Sequence, residues 1–207
     1  MPRKFKQTTA SKQSAKLFGK AVQIGSILRK GLWELLPDSK DRSMMRRLES
    51  TIRQWLSSEK IGKKSGFLPL LPFEFSETSE IHYRIIVSLA IDWSTPGKAV
   101  LQIPSLDPLL HVRVPAHTQS ISWKISIAGS TLDNPVRTET AYESFTMKYE
   151  GGILPERSIA FSFKPQPGSL MVLGLALRYT VIRKGREIEV EEKRWMPAGI
   201  IGAHYLK

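Results

Sequence analysis

The chain has 207 residues, a formal net charge of +12 and no cysteine. The lack of cysteine excludes disulfide bonds, thiol catalysis and metal sites built from cysteine, and it favours a reducing, cytoplasmic location. An apolar fraction of 41% is ordinary for a folded protein. The longest apolar runs, such as 170–177, are too short to span a bilayer, so we expect no transmembrane segment.

The positive charge is concentrated in the first third of the chain. Between Arg3 and Lys64 there are 16 Lys and Arg against 5 Asp and Glu, whereas residues 65–207 hold 15 against 14. No acidic residue precedes Glu34. Because the hydrophobic period also changes near this point, the sequence predicts a basic first part and a nearly neutral second part.

The first part predicts a short tail followed by a helical hairpin. Residues 1–9 are basic and have no period, which is typical of a flexible tail, and residues 10–62 are predicted to form the hairpin arm. A first helix is expected from about Ser11. Its apolar positions recur every three or four residues, as on one helix face: Leu17, Ala21, Ile24, Leu28, Leu32 and Leu35.

Three glycines weaken this first helix. Gly19, Gly25 and Gly31 each cost about 1 kcal/mol relative to alanine. We therefore expect the helix to need a partner surface, and we expect the glycines to permit close approach of another backbone.

A second helix is predicted after Pro37, which cannot continue the first. Asp38 and Ser39 can cap the new helix, which should end near Ser58. Its predicted inner face consists of Met44, Leu48, Thr51, Ile52 and Trp55. The short connection between the helices predicts an antiparallel αα-hairpin.

The rest of the chain predicts β-structure. Residues 63–80 are interpreted as a linker or edge segment because Pro69 and Pro72 cannot donate to a sheet. From Ile81 to Trp93 apolar and polar residues alternate, which predicts one long strand. Shorter strands are expected at 99–103, 109–114, 120–127, 142–149, 158–164, 170–181, 187–195 and 200–206. The fold class is therefore α+β, with residues 81–207 forming an antiparallel β-sandwich of eight or nine strands, immunoglobulin-like as a first choice.

Motifs of common catalytic sites are missing. The sequence has no Gly-x-Ser-x-Gly, no phosphate-binding Gly-Lys-Ser/Thr loop, no Gly-x-Gly-x-x-Gly and no His-Glu-x-x-His. His111, His117 and Asp107 could together form a metal site, but ordinary strand and loop positions explain them as well. We expect a protein that is not an enzyme and holds no cofactor or metal.

Basic side chains on the outside of the two helices provide the strongest functional signal, because phosphate binding needs Lys and Arg on one exposed surface. The candidate residues are Arg3, Lys4, Lys6, Lys12, Lys16, Lys20, Lys30, Arg42, Arg46, Arg53, Lys63 and Lys64. The sequence thus favours binding of nucleic acid through its phosphates without strong sequence specificity, with the sandwich as a protein-interaction module.

Two other functions use the same helices. In one, the chain is a structural or adaptor subunit, or a homo-oligomer, whose arm packs on a protein partner or on its own sandwich. In the other, the apolar face of the first helix, flanked by Phe18 and Trp33, lies in an anionic membrane surface.

Overall fold

The computed structural model describes residues 8–36, 42–57 and 70–206. The helices of this part are α1 (Thr9–Gly31), α2 (Arg42–Ser57), α3 (Ile81–Arg84) and α4 (Pro108–His111), with 3₁₀ turns at Trp33–Leu35 and Lys193–Trp195. The strands are β1 (Phe73–Glu74), β2 (Ala90–Asp92), β3 (Lys98–Ile103), β4 (Thr118–Thr131), β5 (Arg137–Lys148), β6 (Arg157–Ser162), β7 (Ser169–Arg183), β8 (Arg186–Glu189) and β9 (Ala198–Leu206). The α+β class predicted from the sequence is confirmed.

The strands form two antiparallel sheets. The larger sheet has six strands in the order β1-β9-β7-β4-β5, with β8 paired to β7, and the smaller sheet has the order β2-β3-β6. One apolar core lies between the sheets, and a second lies between the larger sheet and α1 and α2. The larger sheet is therefore the middle layer of three.

Strand β7 shows why the larger sheet is buried on both faces. Leu173, Leu175 and Leu177 belong to the core between the sheets, whereas Val172 and Ala176 belong to the core beneath the helices. Successive side chains of a strand point to opposite faces, so a continuous apolar run serves two cores at once. The central position predicted for residues 170–177 is confirmed.

The long strand predicted at Ile81–Trp93 is wrong. Ile81–Arg84 form α3, Ile85 makes an isolated bridge to Val112, and only Ala90–Asp92 form a strand. The backbone N–H of Ile81 donates to the Glu74 carboxylate at 3.0 Å, which satisfies one free amide at the start of the helix. This hydrogen bond to Glu74 in β1, seven residues earlier in the chain, favours a helix at Ile81, whereas the alternating pattern alone favours a strand.

The strand predicted at 109–114 is also wrong, because α4 occupies its first half. The Asp107 carboxylate accepts from the Leu109 amide at 2.9 Å, and Pro108 occupies the first turn. An Asp cap followed by Pro is an ordinary helix start that the apolar pattern of the segment hid.

The predicted inner faces of the two helices are largely buried. Met44, Leu48, Ile52 and Trp55 of α2 are buried, as are the predicted inner positions of the first helix, except that Leu17 and, in α2, Thr51 are half-buried. These side chains pack on the larger sheet. The helices are therefore a layer of the fold and share a core with the sheet, while the predicted cap at Asp38 and Ser39 lies outside the described residues.

Small residues allow α1 to lie close to the sheet. A Cβ atom added at Gly31 would be 2.5 Å from the Ala128 Cβ, and one added at Gly174 would be 2.5 Å from a Leu35 methyl group. Gly19 has no atom within 4 Å of such a position. Close approach thus explains Gly31 but not Gly19.

This difference predicts opposite effects of one substitution in the same helix. Gly31→Ala should lower the free energy of unfolding by about 1–2 kcal/mol, because overpacking typically costs ~1–3 kcal/mol and exceeds the helix-propensity gain of ~1 kcal/mol. Gly19→Ala should raise it by up to ~1 kcal/mol. Urea unfolding followed by circular dichroism measures both, and equal effects would contradict the described packing.

Candidate functional site

The predicted phosphate-contacting residues divide into those that the structure describes and those that it does not. Arg3, Lys4, Lys6, Lys63 and Lys64 lie outside the described residues. Arg42 is the first residue of α2. Lys20 is half-buried. The other five candidates have exposed side chains: Lys12, Lys16, Lys30, Arg46 and Arg53.

The lysines of α1 lie on the flank that faces away from α2. Gly25 faces α2, because a Cβ atom there would be 3.4 Å from the Glu49 Cγ. Lys16 precedes Gly25 by nine residues, about two and a half turns, and so lies on the opposite side of the helix. Lys12 and Lys30 are one turn and about four turns from Lys16, which places them on the same flank.

The two arginines of α2 lie on the side nearest α1. Arg46 and Arg53 precede and follow Glu49 by three and four residues, so all three share one side of α2. Since Glu49 faces Gly25, the arginines border the outer groove between the two helices. The lysine flank and the arginine side are thus separated by the outer surface of α1.

The first turns of α1 are supported by little except their own hydrogen bonds. Every residue from Thr9 to Lys16 is exposed, and burial begins at Leu17 and becomes complete at Ala21. The Thr8 hydroxyl accepts from the Ser11 amide at 3.2 Å and caps the helix. Lys12 and Lys16 are therefore carried on a helical segment that extends beyond the core.

Few of these cations are neutralised by the protein itself. The described parts of the helical layer, 8–36 and 42–57, contain nine Lys and Arg but only two acids, Glu34 and Glu49. Lys20 pairs with the exposed Asp133 at 3.3 Å, and Arg47 pairs with Glu77 at 3.1 Å. Within the described residues, the side chains of Lys12, Lys16, Lys30, Arg46 and Arg53 make no ion pair. An exposed pair such as Lys20 with Asp133 stabilises the protein by at most about 1 kcal/mol.

Sequence reasoning missed two features of this layer. Arg47 is structural: its guanidinium donates to the carbonyl oxygens of Glu74 and Phe75, at 2.9 and 3.3 Å, and thereby ties α2 to β1. Arg29 is exposed on the side of α1 nearest α2, and a helical projection from Gly25 would have placed it there.

An acidic cleft beside α2 is a competing site. Its volume is about 470 Å³, and it is lined by Arg47, Ser50, Thr51, Pro72, Phe73, Glu74, Glu77, Glu80 and His82. The His82 ring lies 3.7 Å from the Glu74 carboxylate and 3.3 Å from that of Glu80. In the part of the chain that the structure describes, no group of three or more His, Asp or Glu side chains is placed to hold a metal ion. His111 instead bonds to the backbone of Asp107.

Comparison with known proteins provides no relative. The chain matches no protein-family model, no curated protein and no solved structure. None of the described helices has the length and apolar character needed to cross a bilayer. Functional inference for this chain therefore depends on its own charge and geometry.

Glu74 generates a prediction for the pH dependence of stability. Its burial raises the pKa of the carboxyl above the ordinary value, against smaller opposing effects of the Ile81 amide and His82. Between the ordinary and the raised pKa the folded state binds more protons than the unfolded state, so stability falls as pH rises through this window. The Glu74→Gln variant should therefore be more stable than the wild type at pH values above this window and equally stable at pH values below it.

Thermal unfolding between pH 3.5 and 8 measures this difference. Glu187→Gln, on the exposed strand β8, is the matched control and should show no such pH-dependent gain. A Glu74→Gln variant that is less stable than the wild type at neutral pH would show that the carboxylate charge is needed there.

Proposed function

We propose that this chain is a non-enzymatic nucleic-acid-binding protein whose helical layer contacts phosphates without strong sequence specificity. The observation that carries the proposal is the outer surface of α1 and α2, where exposed cations outnumber acids and few are neutralised internally. A nucleic acid supplies the missing negative charge as a regular series of phosphates.

Counterion release gives this surface its binding energy. Each lysine or arginine that neutralises a phosphate releases condensed counterions, so affinity rises with the number of contacts and falls steeply with salt. Lys12, Lys16 and Lys30 on one flank and Arg46 and Arg53 on the other are separate contact points. The basic residues of 1–7 and 58–69, outside the described part of the chain, would add to them.

The same surface favours contacts with the backbone of a nucleic acid over base readout. Base edges are usually read by side chains on a helix that enters a groove. The inner side of each helix packs on the larger sheet, and the exposed first turns of α1 offer lysines, whose flexible stems and compact charges suit phosphates. Binding without strong sequence preference follows.

The β-layers suit a separate role as a protein-interaction module, and an immunoglobulin-like sandwich is our interpretation of them. Exposed apolar side chains gather around α4: Leu109 and Leu110 lie on the helix, and Ile153 lies in the loop after β5. A Cβ atom at Gly151 would be 3.3 Å from Leu109, which places this loop against α4. Such patches are typical of protein contacts.

Burial of the apolar face of α1 weakens the membrane alternative and the alternative in which the arm packs on a protein partner. Ile24 and Leu28 of α1 pack on the larger sheet, so they are not available to enter a membrane surface or a partner protein. An adaptor role stays open for the β-layers, and packing of the helices on the chain's own sheet fits that role equally well.

A pair of triple variants tests the proposal. Replacing Lys12, Lys16 and Lys30 by Gln should weaken binding of a labelled oligonucleotide and reduce the slope of log affinity against log salt by about 2, since each contact with a single strand contributes ~0.7. Fluorescence anisotropy over a range of salt concentrations measures both effects.

The control removes the same charge from the β-layers. Lys148, Lys164 and Lys193 are also exposed, and their replacement by Gln gives the same net charge as the helical triple. It should leave the salt slope nearly unchanged. Equal losses in the two triples would mean that only total charge matters, and the helical layer would then have no special role.

A further inference from the structure

Two large aromatic rings are exposed on the helical layer. Phe18 in α1 is 52% exposed, and Trp33 in the 3₁₀ turn that follows α1 is 64% exposed. Neither ring has an aromatic or cation partner among the described residues. Both rings are therefore accessible to another molecule.

Phe18 belongs to a row of residues along one side of α1, and Trp33 lies in the turn just after this helix. Phe18, Val22 and Arg29 are separated by four and seven residues, about one and two turns, so they point to the same side of the helix. At a rise of 1.5 Å per residue, Phe18 is about 20 Å along the axis from Gly31, the last residue of α1. Trp33 follows two residues later, in the 3₁₀ turn.

Cations border this row on both sides. Phe18 precedes Gly25 by seven residues and therefore lies toward α2, whose Arg46 and Arg53 form one border. Lys16 and Lys30, on the opposite flank of α1, form the other. Glu34 and Glu49 are the acids of the described helical layer, and both are only half-exposed.

Aromatic rings between rows of cations match the chemistry of single-stranded nucleic acid. An unpaired strand offers phosphates to the cations and the faces of its bases to the rings, whereas the bases of a duplex are already stacked on each other. Anionic lipid would also attract the cations, but two rings separated by more than half the length of α1 on a polar surface give no continuous apolar face to insert.

We propose that the ligand of this surface is single-stranded nucleic acid, with bases stacked on Phe18 and Trp33 and phosphates held by the bordering lysines and arginines. This inference rests on the proposed function, because it names the class of nucleic acid that the basic layer prefers. Stacking also explains why the rings are exposed, which phosphate binding alone does not.

Trp33 is a built-in reporter for the test. Of the five tryptophans, Trp55 and Trp123 are buried, and Trp93 and Trp195 are half-buried and in contact with other rings. Base stacking should therefore quench mainly Trp33. A twelve-residue oligothymidylate should quench the tryptophan emission of the full chain, and Trp33→Phe should lose most of that quenching.

Comparison probes separate stacking from charge. A twelve-base-pair duplex and inorganic polyphosphate both carry phosphates but present no free base faces. They should bind more weakly than the oligothymidylate at equal salt and leave the emission of Trp33 nearly unchanged.

Alanine variants measure the contribution of each ring. Phe18→Ala and Trp33→Ala should each weaken oligothymidylate binding by about 5-fold to 100-fold, the range that base stacking typically contributes, while polyphosphate binding stays the same. Tyr83→Ala removes an exposed ring from α3 and is the control, with no effect expected. Since all three rings are exposed, the variants should fold, and circular dichroism checks this.

The outcomes separate this inference from the proposed function. If no polyanion binds, both are overturned. Equal binding of oligothymidylate, duplex and polyphosphate without quenching of Trp33 overturns stacking and leaves phosphate binding in place. Tighter binding to vesicles of phosphatidylserine and phosphatidylcholine than to oligothymidylate, with a blue shift of the Trp33 emission, would assign the surface to membranes instead.

Discussion

The position of the helical layer depends on two buried side chains that the larger sheet offers to the end of α1. The Ser126 hydroxyl lies 3.1 Å from the Gly31 carbonyl and 3.0 Å from that of Ala141, and it can donate to either. The guanidinium of buried Arg178 donates to the Leu35 carbonyl at 2.8 Å. The last carbonyls of a helix have no partner within the helix, so burying them requires such donors. These bonds, together with the close contact at Gly31, fix the direction in which α1 leaves the sheet.

Much of the helical layer could be predicted from the sequence, because its apolar face repeats with the helical period over many residues. The same pattern does not show which surface the apolar face packs against. The core that the helices share with the larger sheet could therefore not be predicted. The helices α3 and α4 were missed because each is four residues long and depends on single contacts, to Glu74 and Asp107. Such contacts leave no periodic signal.

The candidate site was predictable in its charge but not in its arrangement. Lysine and arginine at helical spacing identify Lys12, Lys16, Arg46 and Arg53 as outward side chains. The sequence does not tell which flank of one helix meets the other. Those facing flanks determine the arrangement in which lysines border the surface on one side and arginines on the other. Nor does it tell that Arg47 is used internally, because its partners are backbone carbonyls of residues far along the chain.

Anchoring at one end gives α1 a gradient of local stability along its length. Its last turns can open only if the core beneath them opens, whereas Thr9–Lys16 can fray without disturbing any tertiary contact. Fraying lets the lysines of the first turns sample many directions, and fixing them in one direction costs conformational entropy. Within a single helix, the chain thus combines a rigid end near Gly31 with an adaptable end near Lys12.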